Sequence, residues 1–396
     1  MPRALAVFLV FLRLGLTSFG GPIAHIGYFR AEFVERRKWL TEDEFGELVA
    51  LCQFLPGPAS SQLGFAVGLL RAGTAGALLA FVAFTLPSSV LMFAAAAGAS
   101  LLTGDVAEGA IRGLLIVAVA VVAHAVWGMS RTLTPDAVRA LIAAGAAAVV
   151  LLVGGSWSPL AAIGLGALAG LLWCRTAADA VTAAPFGFRI PVAVGAGSLV
   201  VFGVLLVGLP LLAATTGEGT IALVDAFFRS GALVFGGGHV VLPLLDAAVV
   251  QTGWVSPDQF LTGYAAAQAV PGPLFTFATY LGAIATTGPG GAVGAIVATL
   301  ALFLPGFLLL VGVLPFWNRL RRRTGVAAAM RGASAAVVGI LGAALYDPVF
   351  VEAVRGPVDL AFVVAAFVLL GPARVPAWAV VLAGGVAGAL TGAFAG

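Results

Sequence analysis

The sequence predicts an all-α polytopic membrane protein made of two inverted-topology repeats, each with two broken re-entrant helical hairpins followed by transmembrane helices. Three observations carry this prediction. The first is composition: 61% of the 396 residues are hydrophobic and 9% are charged. With a mean hydropathy of +1.11, apolar runs of the ~20 residues that cross a ~30 Å hydrocarbon core recur from end to end. The second is a pair of interruptions inside such runs, Gln53-Phe54-Leu55-Pro56-Gly57-Pro58 and Gln268-Ala269-Val270-Pro271-Gly272-Pro273. Proline removes a backbone donor and glycine frees the backbone. In lipid the freed groups are tolerated only where protein or a water-filled cavity satisfies them. The third is self-similarity, sought before any other pattern. Arg13 and Phe19-Gly20-Gly21 recur 216 residues later as Arg229 and Phe235-Gly236-Gly237, and Trp39, Asp43, Phe45 and Gln53 recur 215 residues later as Trp254, Asp258, Phe260 and Gln268.

These offsets divide the chain into a first repeat over 1–188, a linking transmembrane helix over 189–219 and a second repeat over 220–396. Residues 4 to 18 form an apolar helix of ~23 Å, too short for a full crossing, which stops at Phe19-Gly20-Gly21-Pro22. A helix over about 23 to 38 leaves that break and ends in Arg36-Arg37-Lys38. The next helix starts at the capping box Thr41-Glu42-Asp43-Glu44, runs into Pro56-Gly57-Pro58 and resumes to Leu70. Both pairs read as hairpins that dip into the membrane and return. Crossings follow at about 74–101, 106–130, 136–153, 157–174 and 190–213. The fifth has no equivalent in the second half, so the second repeat starts on the opposite face. Its hairpins lie at about 220–252 and 256–286, the latter opened by Ser256-Pro257-Asp258-Gln259 with proline at the first helical position. Its crossings lie at about 290–316, 326–345, 357–371 and 375–395.

The cations fit this path. Fifteen of the twenty Lys and Arg residues fall on one face, among them Arg3, Arg36 to Lys38, Arg71 and Arg321 to Arg323. Arg355 alone falls on the other, and Arg13, Arg112, Arg229 and Arg331 lie within helices. By the positive-inside rule the first face is cytoplasmic. Cations strung through loops give no nucleic-acid footprint. Arg13 also interrupts the first apolar segment, where no cleavage site follows, so a retained segment is expected rather than a signal peptide.

The breaks supply the candidate site. Ser60, Ser61 and Gln62 follow Pro58 at a helix start, where free N–H groups, two hydroxyls and an amide suit a tetrahedral oxyanion. An ordinary N-cap in a packed hairpin is the competing reading. In the second copy Thr276 keeps a hydroxyl while Phe277 replaces Gln62, so the first half is expected to hold more of the polar site. Arg13 and Arg229 are costly in lipid, about +2.5 to +3.5 kcal/mol for a central arginine. Their duplication points to attraction of an anion into the interior, against pairing with helix ends or carboxylates. Arg112 and Arg331 lie nearer helix ends and can snorkel. His25 and His239 follow the glycine breaks as proton carriers or as satisfied interior histidines, and His124 reads as structural. The acidic residues from Glu32 to Glu47 read as a salt-bridged surface, and Cys52 and Cys174 as inert buried thiols.

The chain lacks HExxH, carries one lysine, Lys38, and has no Cys ligand set, so neither an enzyme nor a metal or other cofactor is expected. A receptor-like bundle would not require two broken-helix pairs. Self-association rests only on small-residue faces such as Gly164-Leu165-Gly166, which predict a homodimer weakly among 53 glycines.

The motifs resemble those of the chromate ion transporter family in its long two-domain form. The likeness is carried by Phe19-Gly20-Gly21-Pro22 with Ala24-His25, by Gln53 with Pro56-Gly57-Pro58 and Gln62, by Phe235-Gly236-Gly237-Gly238-His239, and by Gln268 with Pro271-Gly272-Pro273. The resemblance implies an inner-membrane transporter that exports chromate, a dianion similar to sulfate, with the proton motive force as driving force and protons as coupling ion. Uptake or exchange of sulfate or another small anion is the alternative transport reading.

Overall fold

The first glycine break and the second Pro-Gly-Pro break reverse the chain in the computed structural model, which describes residues 2–19, 21–99, 104–155, 157–175, 190–235, 240–320 and 323–395. All regular structure among the described residues is helical. Helix α1 (Arg3–Thr17) ends before the first glycine break, and α2 (Gly21–Arg30) continues into a π-helical stretch, Ala31–Arg36. Phe11 on α1 packs on Phe29 and Phe33, with ring centroids 5.7 and 5.2 Å apart. In one continuous helix those rings would stand roughly 27 to 33 Å apart. The chain therefore folds back into the expected hairpin.

Helix α3 (Glu42–Phe54) starts at its capping box: Thr41 Oγ1 accepts from Glu44 N–H and the Glu44 carboxylate accepts from Thr41 N–H. Helix α4 (Ala59–Ala99) is formally 41 residues long but leaves helical geometry at Ala72 and Gly73. There it reverses, because a Cβ on Gly68 would lie 2.5 Å from the Gly76 carbonyl oxygen, two points ~12 Å apart in a straight helix. The reversal separates the second arm of the hairpin from the first expected crossing. Helices α5 (Asp105–Leu133), α6 (Ala137–Val153), α7 (Ser158–Trp173) and α8 (Val192–Thr216) follow.

The second half repeats this order. Helix α9 (Gly219–Ala232) is followed by α10 (Val241–Leu245), which again continues as a π-helical stretch, Asp246–Val250. Helix α11 (Pro257–Ala269) starts at the Ser256–Gln259 capping box. A 3-10 turn, Leu274–Thr276, leads into α12 (Phe277–Ile284), which folds back so that Phe260 and Phe277 rings meet at 5.1 Å. Helices α13 (Gly291–Val313), α14 (Trp317–Leu320) and α15 (Thr324–Ala344) come next. A stretch over Leu345–Phe350 carries α15 on into α16 (Val351–Ala353), beyond the expected end at 345, and α17 (Pro357–Leu370) and α18 (Ala377–Ala395) close the chain. The close approach of Gly68 to Gly76 recurs between Gly282 and Gly294.

Packing explains the glycine content. A Cβ on Gly109 of α5 would lie 2.9 Å from Gly392 Cα of α18, and one on Gly170 of α7 would lie 2.8 Å from Gly332 Cα of α15. Small residues let helices approach where lipid supplies no hydrophobic drive. Gly166 belongs to this internal seam, since its Cβ would sit 2.5 Å from Ala336 Cβ. That corrects the expectation of a dimerisation face at Gly164 to Gly166: Gly166 packs within the chain, and Gly164 has no neighbour within 4 Å. Within α8 only Gly195 is buried, resting on Pro315, and the rest of the helix is half-buried or exposed. The halves meet through aromatics of α4 and α13, with Phe65 and Phe307 stacked at 4.5 Å and Phe81 against Phe303 at 5.1 Å.

Candidate functional site

The breaks of one half bind the breaks of the other. The Gly57 N–H donates to the Val234 carbonyl at 2.7 Å, and the Gly272 N–H donates to the Ser18 carbonyl at 2.8 Å. Ser18 and Val234 are matched positions, each just before its Phe-Gly-Gly motif. Both glycines need to be glycine. Gly57 has φ 122° and Gly272 φ 96°, in the region L side chains avoid. A Cβ on Gly57 would lie 2.9 Å from Gly306 Cα, and one on Gly272 2.8 Å from Ser88 Oγ. Gly306 and Ser88 are again matched, each following a helix proline, Pro305 and Pro87. Two backbone donors freed by proline-glycine breaks are thereby satisfied across the centre of the molecule.

Polar side chains gather at this crossing. His25 is fully buried, with Nε2 3.2 Å from the Ser18 carbonyl and Nδ1 3.3 Å from Ser60 Oγ. A carbonyl only accepts, so Nε2 carries the proton and Nδ1 accepts from the Ser60 hydroxyl. Gln62 is 0% exposed and donates from Nε2 to the carbonyls of Pro56 at 3.0 Å and Gly306 at 2.9 Å. Ser61 Oγ, Ser18 Oγ, Thr85 Oγ1 and Gln62 Oε1 are buried without a partner among the described residues. Buried polar groups are nearly always paired, so four such atoms around one crossing mark a place built for something polar. The first turn of α4 adds to them. Its first helical bond runs from Gln62 N–H to the Pro58 carbonyl, which leaves the amides of Ala59, Ser60 and Ser61 as the free donors of a helix start.

Other expected site residues lie elsewhere or serve otherwise. Arg13 is exposed on α1 and has no ion pair among the described residues. The interior cation expected there is corrected to a surface one, because the α1 face bearing Arg13 points away from its buried face of Val7, Val10, Phe11 and Leu14. Arg229 is half-buried and bonds Asp225 on its own helix, the pairing that stood as the competing reading. Gln53 is exposed, and Gln268 is half-buried one turn from Tyr264 on α11. Thr276 donates its hydroxyl to the Pro273 carbonyl at 2.8 Å, closing the 3-10 turn. Gln62, expected to offer donors to a ligand, uses its amide on backbone carbonyls instead. Pro56, Pro58, Pro271 and Pro273 flank the crossing glycines, Pro58 lying 2.9 Å from where a Gly306 Cβ would stand. Gly21 opens α2 at φ 75°. Gly20, Gly236, Gly237 and His239 lie outside the described residues. Arg112 pairs with Asp359 at 2.8 Å, and Arg331 donates to the Cys174 carbonyl.

Sequence reasoning missed Ser18, Thr85 and Asp225. Ser18 was legible only as the residue before a glycine motif, and Thr85 as one hydroxyl in the apolar helix of Pro87. Among the described residues no group of three or more His, Cys, Asp or Glu is placed to hold a metal ion. At the basic end, burial works against ionisation of Glu32, but Arg37 at 2.5 Å and Arg36 at 3.1 Å outweigh it and hold the carboxyl below its ordinary value.

The model of the family described as Chromate transporter matches residues 5–171 and again 221–389. The chain is 31% identical to the chromate transport protein of Pseudomonas aeruginosa over 357 residues, which is 89% of this chain and 82% of that protein. It is 30% identical to the chromate transport protein of Cupriavidus metallidurans, covering 88% of this chain and 82% of that one. An uncharacterised transporter of Methanocaldococcus jannaschii is also 30% identical, over 82% of this chain and 79% of its own. No solved structure matches.

Proposed function

Because the chain belongs to the chromate transporter family, we propose that it exports chromate across the inner membrane, driven by the proton motive force. That it is a multi-pass membrane transporter follows from the family and from five candidate spanning helices among the described residues. The observation that carries the finer reading is the reciprocal crossing of Gly57 with Val234 and of Gly272 with Ser18, ringed by unpartnered hydroxyls. A tetrahedral dianion wants several N–H and O–H donors in a place that excludes water. The Ser61 and Ser18 hydroxyls and the first amides of α4 offer them.

The reciprocal bonds exchange matched positions of the two halves, which is what an approximate two-fold axis between repeats produces. This supports an inverted-topology pair over 1–188 and 220–396, joined through 189–219, with re-entrant hairpins meeting near the bilayer midplane. Alternating access then comes from movement of one repeat against the other. His25 gives the proton a place to act. When Nδ1 gains a proton it becomes a donor, and the Ser60 hydroxyl turns from donor to His25 into a donor for the ion.

Proteoliposomes loaded with labelled chromate test the reading. Flux is expected when a pH gradient or membrane potential is imposed, sulfate is expected to compete, and Ser61→Ala is expected to suppress the flux. Absence of chromate flux, with sulfate carried instead, replaces export of chromate by sulfate exchange.

A further inference from the structure

Beside the crossing, α9 lines a cavity of about 230 Å³ together with α7, α8 and the chain around α10. Its walls are mainly apolar, with Trp157, Leu233, Leu244 and Trp254, and one ion pair is set into them. Arg229 donates to Asp225 Oδ2 at 2.5 Å, one helical turn away, and its guanidinium lies 5.4 Å from the Trp157 ring centroid. The pair is unsaturated. Asp225 is 4% exposed, yet among the described residues its Oδ1 has no partner, and Arg229 Nε has none either. A buried carboxylate with a bare oxygen beside a guanidinium with a spare N–H is an unfinished network in a medium where that is costly. The first half has no such arrangement: the position matching Asp225, 216 residues earlier, is Leu9.

A guanidinium grips a carboxylate and a tetrahedral oxyanion with the same planar fork. Asp225 therefore occupies the position an entering oxyanion needs. Once displaced it becomes a buried carboxylate without a counter-charge, and taking up a proton relieves that state. We propose that Asp225 and Arg229 form a proton-linked anion site, in which an oxyanion replaces Asp225 on the Arg229 guanidinium and Asp225 binds one proton as it lets go. One anion and one proton enter the site together, so a bound dianion travels with one net negative charge and its export draws on the membrane potential; the only bond formed is the carboxyl O–H. The proposal rests on the oxyanion reading above but not on chromate being the ion. The cavity adjoins the crossing, since Leu233 lines it and Val234 accepts the Gly57 N–H.

Few other charges surround the pair. Helices α7, α8 and α13 contain no ionisable side chain. Glu218 precedes α9, and the stretch after α10 brings Asp246, whose Oδ2 faces Gln251 Nε2 at 3.5 Å. Asp225 is the carboxylate that holds Arg229.

The test is calorimetric titration of the purified full chain with sulfate, which stays doubly ionised across the neutral range, and separately with chromate. Each titration is run in two buffers of different ionisation heat and at several pH values. Wild type is expected to bind sulfate about tenfold more weakly per pH unit at the steepest point, with one proton taken up per anion. Asp225→Asn, a neutral mimic of the protonated acid, is expected to bind at the wild-type low-pH affinity with no pH dependence, and Arg229→Gln is expected to lose the proton-linked binding. Should Asp225→Asn fail to fold, the buffer dependence of the heat in His25→Gln, which lacks the proton site of the crossing, decides. Binding without proton uptake, an unchanged slope in Asp225→Asn, proton-linked binding that survives Arg229→Gln, or no binding of either anion overturns the proposal. Chromate binding without pH linkage sinks the Asp225–Arg229 site and leaves the chromate reading standing. Proton-linked sulfate binding with no chromate binding does the reverse.

Discussion

Gly57 is held at φ 122° with no room for a Cβ against Gly306 Cα and Gln62 Nε2. Gly57→Ala is therefore expected to cost ~1–3 kcal/mol of stability from backbone strain alone and to break the bond to Val234. A lowered melting temperature with lost chromate flux is the expected reading. Gly164→Ala, in a helix with nothing within 4 Å, is expected to be neutral or mildly stabilising. The serines divide by what they touch. Ser61→Ala removes a buried hydroxyl that bonds nothing, so stability should hold while flux falls about tenfold or more, the loss of one hydrogen bond to a charged group. Thr276→Val breaks the bond to Pro273 and should instead lower stability by ~1 kcal/mol, with flux falling only as folded protein is lost. At this scale the sequence was legible in part. Ser60 and Ser61 could be placed after a break, but which hydroxyl would be taken by His25 and which left bare depends on how α2 folds back, and no spacing contains that.

Elements were more legible than residues, because capping boxes, proline-glycine breaks and apolar period act locally. The Thr41 and Ser256 boxes start α3 and α11 where expected. The π-helical stretches that follow α2 and α10, Ala31–Arg36 and Asp246–Val250, were not foreseen, since nothing in local propensity distinguishes them from ordinary helix ends. The first is fixed by Glu32, whose side chain is 10% exposed and pairs with Arg36 and Arg37. Its folded pKa lies below the ordinary 4.5, so the pair contributes stability above that value and loses it as pH falls through the lower folded value. Thermal melts should show an acid-side loss of stability below pH 4.5 that Glu32→Gln flattens, at the cost of a lower plateau near neutral pH. Likewise α5 and α18 depend on bare backbone at Gly109 and Gly392. Gly109→Leu has no space to relax into and is expected to prevent stable folding, visible as aggregation on size-exclusion chromatography.

For the whole molecule, the question is whether the halves move. They are joined by the glycine seams of α5 with α18 and α7 with α15, by backbone bonds at the two crossings, by Phe65 on Phe307, and by Thr279 of α12, whose Oγ1 donates to Ser89 Oγ of α4 at 3.2 Å. Duplication was readable from matched residues, but that the breaks of opposite halves bond to each other needed the structure, since long-range pairing leaves no periodic trace. If transport requires one half to shift against the other, a covalent bridge at the last of these contacts should stop it. Ser89→Cys with Thr279→Cys places two thiols where the hydroxyls now meet, while native Cys52 and Cys174 are buried. The oxidised double variant is expected to lose chromate flux, to regain it on reduction, and to keep binding the anion throughout. Each single cysteine variant should ignore oxidant. A bridged protein that still carries chromate at the full rate would show that α4 and α12 travel together, and the moving boundary would then have to lie between the crossing and the outer bundles of α5 with α18 and α7 with α15.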